Sequence, residues 1–84
     1  MQEIVVDVRD LPSPEPLEKV LAALPEIGEG RYVKMVHRME PGLLFPILKR
    51  NGFDYRQRFG NDREVLIYIF LKNDRTTYEY VMGL

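Results

Sequence analysis

Val65-Leu66-Ile67-Tyr68-Ile69-Phe70-Leu71 is the longest apolar run in the chain. A run of that length, rich in β-branched and aromatic residues, reads as a strand; successive strand side chains point to opposite faces, so both faces need cover. The run therefore belongs at the centre of a sheet. With 84 residues and no cysteine, the chain has room for one core without disulfide support. Everything else must be arranged around this strand.

Ahead of it, Phe53, Tyr55, Gln57 and Phe59 alternate with Asp54, Arg56 and Arg58, the period of a half-exposed strand, and Gly60-Asn61-Asp62 supplies a turn. The two strands make a hairpin. Glu3 to Val8 is a short β-branched run that reads as a strand buried on both faces or lying in a parallel sheet, and Tyr32 to Val36 is a further strand. Leu17, Val20, Leu21 and Leu24 recur at the spacing of one helical face, with Ser13 as the expected N-cap, Pro14 as the first helical residue and Pro25 as the stop. Glu40-Pro41 opens a second helix carrying Leu43, Leu44, Ile47 and Leu48 and capped by Gly52. Pro46 should kink or tighten its first turn unless the regular helix starts later.

The order is βαβαββ, an α/β sandwich of two layers: a mixed four-stranded sheet with both helices on one face. Residues 1–72 form the domain and 73–84 a C-terminal tail, in which Tyr78, Tyr80 and Met82 alternate as in a fifth strand or a strap. The loops after the first two strands, Asp10 to Glu15 and His37 to Glu40, then meet at one rim beside two helix N-termini.

Composition removes whole classes of chemistry. The absence of cysteine excludes thiol carriers, thiol peroxidases and cysteine zinc sites, and a single histidine argues against a histidine-based metal site. Lys and Arg total 12 against 13 Asp and Glu, which argues against a dedicated nucleic-acid binder. Met-Gln-Glu-Ile begins no signal peptide and no segment approaches a membrane span, so a cytoplasmic protein is expected.

Three segments carry a resemblance. Asp7-Val8-Arg9-Asp10-Leu11-Pro12, Pro14-Glu15-Pro16-Leu17-Glu18 and His37-Arg38-Met39-Glu40-Pro41, together with the βαβαββ order, resemble a cysteine-free, uncharacterised branch of the TusA/SirA sulfur-carrier superfamily. That resemblance covers about Glu3 to Leu71. It implies the two-layer fold and a partner surface, and it puts Ser13 where the carriers have their cysteine. A serine hydroxyl carries no persulfide, so the chemistry is not implied with the fold.

The candidate recognition rim is Asp10, Ser13, Glu15, His37, Arg38 and Glu40. Ser13 as a nucleophile would need His37 as its base and a third group to orient it, whereas an N-cap role accounts for it at roughly 1 kcal/mol. An anion cradle at the first helix loses two donors to Pro14 and Pro16. His37 with Asp10, Glu15 and Glu40 is a plausible ligand set for a metal, against a structural role in which His37 hydrogen-bonds the loop after the second strand. Leu66, Tyr68 and Phe70, with Tyr78 and Tyr80, form a candidate interface, because a two-layer fold leaves one face of the central strand bare: either the tail covers it or a second copy does.

The expectation is a non-enzymatic module acting on a protein partner of unidentified kind through the rim, with no cofactor and no membrane contact; a homodimer would supply the second-face cover. The alternatives are a ligand- or metal-sensing module using His37, Glu40 and Glu15, and an RNA-binding accessory domain using Lys49, Arg50, Arg56, Arg58 and Arg63 with Tyr55 and Phe59.

Overall fold

The computed structural model describes Met1–Leu84 as β1 (Gln2–Asp7), α1 (Glu15–Ala23), a 3-10 turn (Leu24–Glu26), β2 (Arg31–His37), α2 (Leu44–Arg50), β3 (Phe53–Phe59), β4 (Val65–Leu71) and α3 (Arg75–Met82). The sheet order is β1-β2-β4-β3. β1 runs parallel to β2, while β4 is antiparallel to both β2 and β3. The all-apolar strand is thus interior, and β3 runs in the direction of β2 with β4 between them.

One face of the sheet meets α1 and α2. Val33 and Met35 of β2 and Val65, Ile67 and Ile69 of β4 pack with Val20, Ala23, Leu44 and Leu48. The strand alternation and the helical spacing of these residues therefore bury the same core from two directions. The intervening β4 residues turn to the other face, where Tyr68 and Phe70 pack with Tyr32 and with Val81 of α3, and Leu66 lies against them.

Helix α3 corrects the expectation of a fifth strand. Asp74 caps it, accepting from the Thr77 amide at 3.1 Å and from the Thr77 hydroxyl at 2.6 Å. Thr77 and Val81, one helical turn apart, are its buried residues. Asp74 also accepts from the Gly30 amide at 2.9 Å, and the Arg58 guanidinium donates to the Met82 carbonyl at 3.0 Å, so both helix ends are tied to the sheet. The second face is covered within the chain. Tyr68 and Phe70 are buried beneath α3 and are not presented to a partner, while Tyr78 and Tyr80 remain exposed at its flanks.

β1 is an edge strand and is not covered on both faces. Ile4 and Val6 pack on the core, but Val5, on the opposite side, is 57% exposed. Tyr32 donates its hydroxyl to Glu3 at 2.7 Å, and burial followed by that bond pushes the Tyr32 phenol above its ordinary range. At the other end of β1, Arg9 reaches Asp7 at 2.7 Å and Glu64 at 2.6 Å, linking the edge strand to the start of β4.

Three local expectations change. Ser13 is exposed and makes no cap: Pro14 occupies the N-cap position, the helix begins at Glu15, and the Glu15 amide bonds the Pro12 carbonyl at 2.9 Å. The backbone turn from Pro12 does the work expected of the hydroxyl, and Pro16, not Pro14, is the proline inside the first turn. Helix α2 begins at Leu44, so Pro46 falls in its first turn, where a missing NH leaves no helical bond unmade. Leu43 is therefore outside the helix and 78% exposed, not a core residue.

Candidate functional site

The parallel pairing of β1 and β2 brings both following loops to the same end of the sheet. Val8, beyond the last paired residue of β1, is fully buried and its amide bonds the Val36 carbonyl at 2.9 Å. The chain then leaves the sheet at Arg9-Asp10 and returns as the proline-rich start of α1. His37 ends β2, and Arg38 to Leu43 form the second loop. Between them lies a cleft of about 450 Å³. Leu11, Pro14, Pro16 and Leu17 line one wall and Met39, Pro41, Leu43 and Leu44 the other; Ser13, His37 and Glu40 are its polar residues.

The rim residues divide in two. Ser13, His37 and Glu40 line the cleft, whereas Asp10, Glu15 and Arg38 are exposed around it. Arg38 faces Asp10 at 3.8 Å, a long and solvated pair. Glu40 accepts from the Gln57 side-chain amide at 2.6 Å, which draws its carboxylate toward β3. No three of the histidine, aspartate and glutamate side chains converge as metal ligands. The set of His37, Asp10, Glu15 and Glu40 considered for a metal is not gathered, and Glu40 is engaged by Gln57.

His37 differs from both of its expected roles. Its Nδ1 is buried and has no hydrogen-bond partner, so it does not tie down the loop after β2, and no bond joins it to Ser13. Burial lowers its pKa below the ordinary 6.5, so the neutral imidazole is the form the fold favours. Ser13 and His37 both line the cleft without a hydrogen bond between them.

The apolar walls were the part of the site that residue chemistry alone missed. Titratable and ligating side chains are the more conspicuous in the sequence, whereas Leu43 and Met39, 78% and 64% exposed, dominate the mouth of the cleft. The available signal was Leu43 itself. Placing the start of α2 after Pro41-Gly42 takes Leu43 out of the buried helical stripe.

The basic and aromatic residues considered for RNA share a surface only in part, since Lys49 stands over the Tyr55 ring at 5.5 Å while Arg56 and Arg58 lie on the opposite face. Strand alternation puts Arg56 and Arg58 on the α3 side of β3 and Tyr55 and Phe59 on the α1/α2 side. Tyr55 stacks on Phe45 at 4.3 Å, and Lys49 is paired with Asp54 at 3.1 Å. Tyr55 is thus used inside the fold, whereas Phe59 is 74% exposed. A polar hollow of about 330 Å³ beyond the end of β4 is lined by Asp54, Lys72, Asn73, Arg75 and Tyr78; Asp54 pairs with Lys49 and Arg75 with Glu79, while Lys72 makes no ion pair.

Against known families, the profile described as an uncharacterized conserved protein, DUF2249, matches residues 5–70. The chain belongs to the DUF2249 family. The matched span of this DUF2249 domain runs from β1 to the penultimate residue of β4 and contains both walls of the cleft, whereas α3 lies beyond it. No curated protein and no solved structure matches the chain. No helix is long and apolar enough to cross a membrane.

Proposed function

We propose that this DUF2249 domain is a non-catalytic recognition module that binds a protein partner through the cleft between the β1–α1 and β2–α2 loops. The observation that carries the reading is the coincidence of an apolar cleft with Leu43 and Met39 exposed at its mouth. Large apolar side chains grouped around a concavity mark association surfaces, because their burial is favourable only when another molecule excludes the water. The sulfur-carrier kinship drawn from the loop motifs fits this reading as inherited architecture. The thiol is gone, and a serine at a helix start is too weak an acid for a helix dipole worth at most about 2 kcal/mol to activate.

The test is an affinity capture from native extract with wild type and a Met39→Ala, Leu43→Ala variant, both checked by circular dichroism. Specific proteins that appear with wild type and vanish with the variant support the module. Equal recovery with both baits overturns it, as does a hydrolytic or sulfur-transfer activity abolished by Ser13→Ala.

A second reading is favoured by the size of the cleft, which lies within the roughly 300–1,000 Å³ typical of small-ligand sites. An apolar ligand bound there would raise the melting temperature in proportion to the logarithm of its concentration once saturating.

A further inference from the structure

We propose that the cleft takes a short partner segment carrying one large apolar anchor flanked by lysine or arginine. The inference rests on the protein-recognition reading above and adds the chemistry of the partner.

The apolar part of the surface is larger than the cleft. The three most exposed large apolar side chains of the chain are Leu43, Phe59 and Met39, at 78%, 74% and 64%, and all three lie at the same end of the sheet. His37 pairs with Val65 and Val65 with Phe59, so the ends of β2 and β3 are two strand spacings, about 10 Å, apart. Gln57, two residues before Phe59 and on the same face of β3, holds Glu40 at 2.6 Å. That bond spans the gap between the loop bearing Met39 and Leu43 and the strand bearing Phe59. A cavity with apolar flanks on an adjoining strand fits an extended segment whose anchor enters the cavity while its neighbours lie across the rim, the arrangement in which one buried side chain dominates binding.

Charge then selects among such segments. No lysine or arginine lines the cleft. Around it Asp10, Glu15 and Glu40 stand against Arg9 and Arg38, and both cations are already engaged, Arg9 by Asp7 and Glu64 and Arg38 by Asp10; Arg63, in the turn after Phe59, stands between the acidic Asp62 and Glu64. Glu15 and Glu40 pair with no cation of the chain. A negative collar on an apolar socket attracts a basic segment, repels an acidic one, and does so most strongly at low salt.

The experiment selects peptides from a random display library on the full chain and measures the enriched peptides by fluorescence anisotropy at low and high salt. Enriched sequences are expected to share a Leu, Met or aromatic anchor with Lys or Arg within a few residues. Met39→Ala with Leu43→Ala should weaken their binding at least tenfold. Glu15→Gln with Glu40→Gln should weaken it severalfold at low salt and flatten its salt dependence. All four side chains are exposed, and circular dichroism verifies that the variants fold. Peptides that depend on Met39 and Leu43 but show no basic bias, or bind the carboxamide variant equally well, overturn the inference and leave the recognition reading standing. Peptides indifferent to Met39 and Leu43, or no enrichment, overturn both.

Discussion

Gln57 donates its side-chain amide to the Glu40 carboxylate at 2.6 Å, joining the loop after β2 to the edge strand β3. The two residues are separated by the whole of α2, so this bond fixes one wall of the cleft against the sheet. A bond to a carboxylate is worth roughly 1.5–3 kcal/mol when protected from water, and less at this exposed site. Gln57→Ala is expected to lower global stability by about 1 kcal/mol or less in urea denaturation. The amides of Met39, Glu40 and Gly42 to Leu44 should exchange hydrogen faster in the same variant, a local effect exceeding the global one.

Asp62 and Arg63 both adopt positive φ, at 52° and 64°, in the turn closed by the Glu64 amide on the Asn61 carbonyl at 3.0 Å. Two successive left-handed residues are what a tight hairpin of this twist requires, and arginine lacks the freedom of glycine there. Arg63→Gly is expected to stabilise the fold by about 0.5–1 kcal/mol, measured as a raised urea midpoint with an unchanged slope.

The Asp74 carboxyl titrates below its ordinary 3.8, first because the Thr77 hydroxyl donates to it and then because the Gly30 and Thr77 amides do. A depressed folded value means that its contribution is fully present above the unfolded pKa and is lost as pH falls through the lower folded value. Asp74→Ala should cost about 1–2 kcal/mol at neutral pH, as loss of an N-cap does. Its stability should also fall less steeply than that of wild type between pH 4 and pH 2, on the order of the carboxylate range. Thermal melts across that interval check both.

For His37 the sign is the same and the window different. Burial holds its folded pKa below 6.5, so as pH drops below that value the unfolded chain takes up the proton first and folding weakens. Wild type should lose stability from about pH 7 to pH 5. His37→Met removes that dependence, and by removing a buried nitrogen without a partner should raise stability at pH 7 by up to about 1 kcal/mol. Urea titrations at the two pH values measure the difference.

The elements whose periodicity matched their final environment were legible from the residues. β3 and β4 end where alternation and the apolar run end, and α1 and α2 turn their apolar stripes to the core, except that Leu43 of the second stripe lies outside the helix and is exposed. β1 lies in the parallel pairing its β-branched run allowed, but the alternative of burial on both faces fails because the apolar triplet Ile4-Val5-Val6 is also compatible with an edge: β2 is its sole neighbour, and Val5 faces solvent. The tail misled because Tyr78, Tyr80 and Met82 alternate at a strand period while the buried pair Thr77 and Val81 recurs at a helical one, and Asp74 ahead of Thr77 was the cap signal that decides between them. Within the rim, chain order was enough to bring the two loops together. It did not reveal that Glu40 turns to Gln57, since that contact depends on β3 lying beyond β4.

Because β2 pairs with β4 and not with β3, the sheet cannot be completed in the order in which the chain is made. A ribosome releasing this protein exposes Val33 and Met35 of β2 with one strand edge unpaired until Leu71 has been synthesised, so the amino-terminal two thirds of the chain must wait as an open, sticky edge. The β3–β4 hairpin supplies the partner that β2 lacks, and a chain that stalls before Leu71 keeps that edge open to aggregation and to proteolysis.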